Sequence, residues 1–202
     1  MTNEKMSTKT RNVIAAVSFL LMAGPGTSMA EDRNDCPDGA LAGGVYKDLV
    51  IKGGGDCYIM NVLVTGDITA KNMDQISIVS STVNGSISFT SSNSAFVYNN
   101  VVNGDTITTW GNASSTVARN TVNSGNIAVN DVECSQRQSA IAEENVIYGG
   151  SLRVNCNETA TVRNNTVRDG TISCRDNDRL DSLDNDARGT NSEVKCSNGI
   201  GD

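Results

Sequence analysis

Six cysteines, no histidine and a thin scatter of carboxylates bound the chemistry open to this 202-residue chain. Without histidine, the commonest general base and the commonest zinc ligand are both missing. Hydrolysis of a glycosidic bond needs paired acids, and calcium-assisted proton abstraction needs acids beside Lys or Arg. The acids on central strand-like segments are Asp67 and Asp105, with Glu143 and Glu144 further on; the basic residues among them are Arg119, Arg153, Arg163 and Arg168. They share no common spacing, so no catalytic residue is assigned. Asp176, Asp178, Asp181, Asp184 and Asp186 crowd one stretch, but Asp176-Asn-Asp-Arg-Leu-Asp181 lacks the glycine and downstream glutamate of an EF-hand loop. They read instead as charges that keep a terminal edge from associating. No C-x-x-C pair exists for thiol redox work. Neither a metal nor a cofactor is expected.

The elements that would position any site come from a repeat. A unit Asn-x-Val-x-x-Gly-x-Ile recurs as Asn100–Ile107, Asn120–Ile127, Asn145–Leu152 and Asn165–Ile172, with looser copies at Asn61–Ile68 and Ser81–Ile87. Aligning the copies gives apolar columns. The first is Leu49, Ile68, Ile87, Ile107, Ile127, Leu152, Ile172 and Val194, at spacings of 19, 19, 20, 20, 25, 20 and 22 residues. A second reads Ile59, Ile78, Val97, Val117, Ile141 and Val162, ending at Leu183, and a third Leu63, Val83, Val102, Val122, Ile147 and Val167. A fourth lies two residues after the first: Ile51, Ala70, Phe89, Thr109, Val129, Val154, Cys174 and Cys196.

Apolar and polar residues alternate within each segment, which is strand periodicity. Three strands per twenty-residue repeat describe one coil of a parallel β-helix. One coil cannot bury its own apolar side chains; stacking coils about 4.8 Å apart pairs every strand and closes a core. The expected fold is all-β, a right-handed parallel β-helix of about seven coils of roughly 19–25 residues, about 30 Å long. Handedness follows from the variable coil length, since left-handed hexapeptide helices repeat strictly in sixes. The extra residues are placed between the first and second columns, in 72–75, 91–94, 111–114, 131–138 and 155–158. The Asn column (Asn61, Asn100, Asn120, Asn145, Asn165, with Ser81) reads as a structural ladder. Gly66, Gly85, Gly104, Gly125, Gly149 and Gly170 read as tight turns that need backbone freedom.

The ends have their own signals. Lys9 and Arg11 precede an apolar run, Val13–Ala23, closed by Gly24-Pro-Gly26 and by Ser28-Met-Ala30. This has the form of a secretory signal peptide over residues 1–30, and the run is too short to cross a bilayer. Residues 31–44 are expected to form an N-terminal cap, 45–196 the solenoid and 197–202 a C-terminal tail. Without Glu4, Lys5, Lys9 and Arg11, 13 basic and 22 acidic residues remain, a formal charge of −9. That balance speaks against nucleic acid and an anionic membrane surface. The expected location is secreted or periplasmic, with no membrane insertion after signal removal.

Register also pairs the cysteines. Cys174 and Cys196 share a column in successive coils, Cys134 and Cys156 share a loop position, and Cys36 precedes Cys57 at the start of the rod. Neighbouring strands lie within disulfide reach.

Function is sought on outward columns. Tyr58, Met60, Val79, Phe96 and Tyr98 are expected to form an apolar, aromatic patch over three coils, a type of surface that marks a ligand or partner, unless residues 31–43 fold back over it. A second outward face is rich in hydroxyls, with Thr69, Ser88, Thr106 and Thr108.

Asn120-Thr-Val-Asn-Ser-Gly-Asn-Ile127 and Asn165-Thr-Val-Arg-Asp-Gly-Thr-Ile-Ser-Cys174 resemble the coils of secreted bacterial right-handed parallel β-helix repeat proteins, in particular short disulfide-containing members. The resemblance spans roughly Val45 to Cys196. It implies fold and export, and no activity, because the fold hosts many functions. The expected role is a non-enzymatic binding or adhesin-like module whose partner is a polysaccharide or a cell-surface protein. The rival readings are a small polysaccharide lyase or hydrolase, and an ice-binding protein acting through the Ser/Thr face. Non-reducing peptide mapping checks the register: it should return Cys36–Cys57, Cys134–Cys156 and Cys174–Cys196, and any other pairing sinks the column alignment.

Overall fold

The computed structural model describes residues 31–33, 35–36, 39–130 and 138–196. The signal-like segment 1–30, the tail from 197 and Cys134 lie outside the described residues. Short parallel strands wind into a right-handed β-helix of about seven turns. The first face consists of Val45–Lys52, Ile68–Lys71, Ile87–Thr90, Ile107–Trp110, Ile127–Asn130, Leu152–Asn155, Thr171–Arg175 and Glu193–Cys196. The second consists of Ala40–Ala42, Asp56–Met60, Gln75–Val79, Ser94–Tyr98, Ser114–Ala118, Ser139–Glu143, Thr159–Arg163 and Arg179–Leu183. The third is a stack of two- and three-residue strands, from Leu63–Val64 through Val101–Val102 to Asp186–Arg188. Val45–Lys52 turns the first corner between the third and first faces, pairing Tyr46 with Val64 and Leu49 with Ile68. Glu31–Arg33 pairs with its outer edge.

Two of the four core columns stack as the repeat lays them out. Leu49, Ile68, Ile87, Ile107, Ile127, Leu152, Ile172 and Val194 are partners in sequence. So is the column from Ile51 through Phe89 and Val129 to Cys196. The other two need correction. In the second column Val117 pairs with Ala142, not Ile141, and Val162 pairs with Ser182, not Leu183. In the third, Val64 rather than Leu63 partners Val83. A one-residue slip turns a side chain to the other face of a strand. Ala142 and Val64 are accordingly buried, whereas Leu63 and Leu183 are exposed.

The asparagine ladder explains why the coils stay in step. Asn145 is fully buried: its Oδ1 accepts the Asn120 backbone N–H (3.0 Å) and the Asn120 Nδ2–H (3.1 Å). Its own Nδ2 donates to the Val117 carbonyl (2.8 Å) and to Asn165 Oδ1 (3.0 Å). The same pattern joins Asn100 to Asn120 and Asn165 to Asn185. Each buried amide is thus satisfied on both its donors and its acceptor, the condition for burying one without penalty. The ladder begins at Ser81, whose Oγ accepts from the Val62 amide, and ends at Asn185; Asn61 is not in it. Asn61 is the left-handed residue one position earlier, in a row with Ser80, Asn99, Arg119, Glu144, Asn164 and Asp184, all at φ between 52° and 58°.

A second ladder runs along the corner between the first and second faces. The Met73 amide donates to Ser92 Oγ and the Ser92 amide to Asn112 Oδ1, and further down Asn157 donates to Asn177 Oδ1. Met73, Ser92, Asn112 and Asn157 fall in stretches expected to be loops, and Asn177 in the acidic stretch read as edge charges. From the last core residue of the first face to the first of the second, as from Phe89 to Ala95, the chain advances six residues in every coil but one, where Val129 to Ala140 is eleven; the variable lengths arise elsewhere too. The step from 19- to 20-residue coils occurs between the third and first faces, where Val83 to Ile87 becomes Val102 to Ile107.

The glycine row does a different job from the one its sequence implies. Gly66, Gly85, Gly104, Gly125 and Gly170 do not sit at positive φ; of the six, only Gly149 does, and Gly150 takes its place in the stack. What excludes a side chain is the backbone of the coil before: a Cβ on Gly125 would lie 1.5 Å from the Asp105 carbonyl oxygen.

Disulfides fasten both ends. Cys36 is bonded to Cys57 with Cα atoms 5.8 Å apart, and Cys174 to Cys196 with Cα atoms 4.4 Å apart. Cys156 is also disulfide-bonded. Closing loops of 21 and 22 residues stabilises each end by about 3 kcal/mol in the chain-entropy account.

Three substitutions test this account. Gly125→Ala and Asn145→Ala should each cost about 3 kcal/mol, lowering the melting temperature by roughly 10 °C. Gly111→Asn should change it little. Gly111 sits at φ 65°, a conformation that Asn tolerates, and a Cβ added there would approach nothing closer than Ser91 Oγ at 3.8 Å. Equal effects in a thermal melt would refute the distinction between close approach and backbone freedom.

Candidate functional site

The second face is held flat by five-residue strands paired without a bulge from Asp56–Met60 to Thr159–Arg163. Alternate residues of each strand point outward. Tyr58, Ser77, Phe96, Thr116, Ile141 and Thr161 form one outward column; Met60, Val79, Tyr98, Ala118, Glu143 and Arg163 form the other. All five residues expected in the patch, Tyr58, Met60, Val79, Phe96 and Tyr98, therefore lie together on three successive strands. Each is half-buried by its neighbours in the row.

Three features of this surface differ from the sequence reading. Ile141, expected in the second core column, faces outward with Glu143 two residues on, because the strand register sits one residue further along. Ile141 thereby carries the apolar column a further coil. Ala40–Ala42 does not cross the face: it pairs edge-on with Tyr58–Met60 and lengthens the sheet. Ala118 and Ser77 are buried, so the relief between the larger side chains is shallow.

The patch has a charged border. Arg119, at the left-handed corner, donates from its guanidinium to the Tyr98 hydroxyl (2.6 Å) and stands 5.4 Å above the Tyr98 ring centroid. Its Nε bonds Glu144 Oε2 at 2.7 Å. Glu144 and then Tyr98 hold the guanidinium pKa above its ordinary value. At the C-terminal end Arg163 pairs with Asp181. These contacts fix the polar rim and orient the Tyr98 ring.

The hydroxyl-rich face divides in two. Thr69, Ser88 and Thr108 share an outward column of the first face, between Val50 and Ala128. Thr106 belongs to a neighbouring row whose side chains serve the fold. Asp48 Oδ1 accepts the Asp67 amide, Asp67 Oδ1 the Ser86 amide, and Asn126 Oδ1 the Ser151 amide. Thr106 itself donates to Asp105 Oδ1, and its amide donates to Ser86 Oγ. Of the acids weighed for catalysis, Asp67, Asp105 and Glu144 are thus engaged at three separate places, and Glu143 stands on the second face. Among the described residues, no three acids and cysteines come together as a metal site.

Comparison with family models, curated proteins and solved structures gives no match to this chain. Its disulfide-bonded β-helix fits a small extracellular protein, since such bonds persist in oxidising surroundings.

Register at the patch can be probed directly. Ile141→Asp should leave the melting temperature within a few degrees, because the side chain faces outward. Ala142→Asp would bury an unpaired carboxylate in the core and should unfold the neighbouring coils; the reverse order would restore Ile141 to the interior.

Proposed function

We propose that the protein is exported and acts as a non-enzymatic binding module, taking a carbohydrate chain on its second face. The observation that carries this reading is the alignment of Tyr58 and Phe96 in one outward column, beside Met60, Val79 and Tyr98 in the next. Tyr58 and Phe96 are two strands apart, about 10 Å at the strand spacing. Aromatic side chains on a flat surface suit the apolar faces of sugar rings, and the rim formed by Arg119, Glu144 and the Tyr98 hydroxyl supplies hydrogen-bonding partners for sugar hydroxyls. A signal-like N-terminus and the disulfides support export. A protein partner is the competing occupant of the same face.

Screening wild type and Phe96→Ala on an array of neutral glycans separates these. Binding that falls at least tenfold in Phe96→Ala, with the melting temperature held within about 5 °C, is the expected result. No glycan retained by wild type sinks the carbohydrate reading.

A further inference from the structure

The first face gathers three cations at its C-terminal end, and two of them are neutralised by no other described residue. Arg153, Ser173 and Lys195 occupy one outward column on three successive coils, and Asn155 and Arg175 stand two residues along on the first two of them. With Thr171 they line a shallow depression of about 310 Å³. Arg153, Arg175 and Lys195 are exposed.

Among the described residues Lys52, Lys71 and Arg179 also lack an ion pair; what sets Arg153 and Arg175 apart is that both line one depression. Elsewhere, Arg119 is bonded to Glu144, Arg163 to Asp181 and Arg188 to Asp186, while Arg168 stacks on Tyr148. Lys195 reaches Glu193 at 2.6 Å on the rim of the depression. Arg153 and Arg175 have no side-chain partner among the described residues. Acids outnumber bases 23 to 16 in this chain, so carboxylates were plentiful for pairing. Two neighbouring free guanidinium groups repel each other, and an anion between them removes that cost.

The donors point to the kind of anion. A planar carboxylate is met in full by one bidentate guanidinium. Here two guanidinium groups, an ammonium and the hydroxyls of Thr171 and Ser173 line one depression, more donors than a planar carboxylate needs and suited to a tetrahedral oxyanion with three free oxygens. The Cα atoms of Arg153 and Arg175 are about 8 Å apart from one strand spacing and two residues of rise, room for such a group between their side chains. Asn155 adds an amide for a sugar hydroxyl. Polyphosphates and anionic membranes engage an extended basic surface, which one depression with three cations does not supply, whereas a single ester group needs only the depression. We infer that this depression binds a sulfate ester carried on a polysaccharide. The site lies on a different face from the aromatic patch and does not depend on the function proposed for it.

The test is titration of the full-length exported protein with dextran sulfate, with neutral dextran, polygalacturonate and a single-stranded oligonucleotide as comparators. The expected result is dextran sulfate binding at low salt that weakens with added salt, at least tenfold tighter than to any comparator. It should fall at least tenfold in Arg153→Gln/Arg175→Gln, recover in part in the double Lys variant, and persist in Phe96→Ala. The inference is overturned if wild type does not bind dextran sulfate, if the oligonucleotide or polygalacturonate binds as tightly, or if the double Gln variant, melting as wild type does, binds unchanged.

Discussion

At the corner between the second and third faces, each coil hands an amide hydrogen to the side-chain oxygen of the coil beneath it, and the rest of the structure follows from that bond. The chain from the second core column to the third is five residues long in every coil, as in Val97 to Val102 and Val162 to Val167. It contains one left-handed residue and, from the second coil on, an Asn or Ser that is buried in every coil but the last. An Asn in that place satisfies the corner amides that a turn leaves without partners, and it does so only if the next coil offers the same geometry. The other two corners can gain residues because this one does not.

That constraint links interior to surface. Fixing the corner fixes strand register on both sides of it, and register decides which side chains enter the core. The aromatic patch and the cationic depression are both products of this rule. Tyr58 and Phe96 align, and so do Arg153 and Lys195, because Ile59 and Val97, or Leu152 and Val194, must align behind them. One residue resists the pattern: Thr109 occupies a core position between Phe89 and Val129 with its hydroxyl buried and unpaired. Replacing that hydroxyl by a methyl group would remove a desolvation cost at constant shape.

The sequence showed the fold class, the coil number and two core columns, because Ile, Val and Leu recur there at a near-constant period against polar neighbours. It misplaced residues where two apolar side chains are adjacent, and at Leu183, whose polar neighbour Ser182 takes the paired position. Ile141 beside Ala142 and Leu63 beside Val64 each offered a larger residue for the core, yet the smaller or branched one enters, since pairing with the preceding strand outweighs bulk. Asn112 and Asn157 read as loop residues because short polar runs at a turn look alike whether they are solvated or stacked. The glycine row was visible, but its cause was not: contact with the previous coil is a property of the stack and leaves no mark on the local sequence. The five patch residues were legible from alternation alone. The depression was not, because Arg153, Arg175 and Lys195 are spread over three coils, 22 and 20 residues apart along the chain.

The coil stack also acts as a ruler. Side chains of one column can appear along the rod only at whole multiples of the strand spacing, about 4.8 Å. A polymer with a different repeat length that lies along the axis falls out of phase after a few contacts, much as two combs of unequal pitch do. Lengthening the rod by further coils would therefore add stability without adding matched contacts, and a patch confined to three coils is about as long as a single phase of such a match allows.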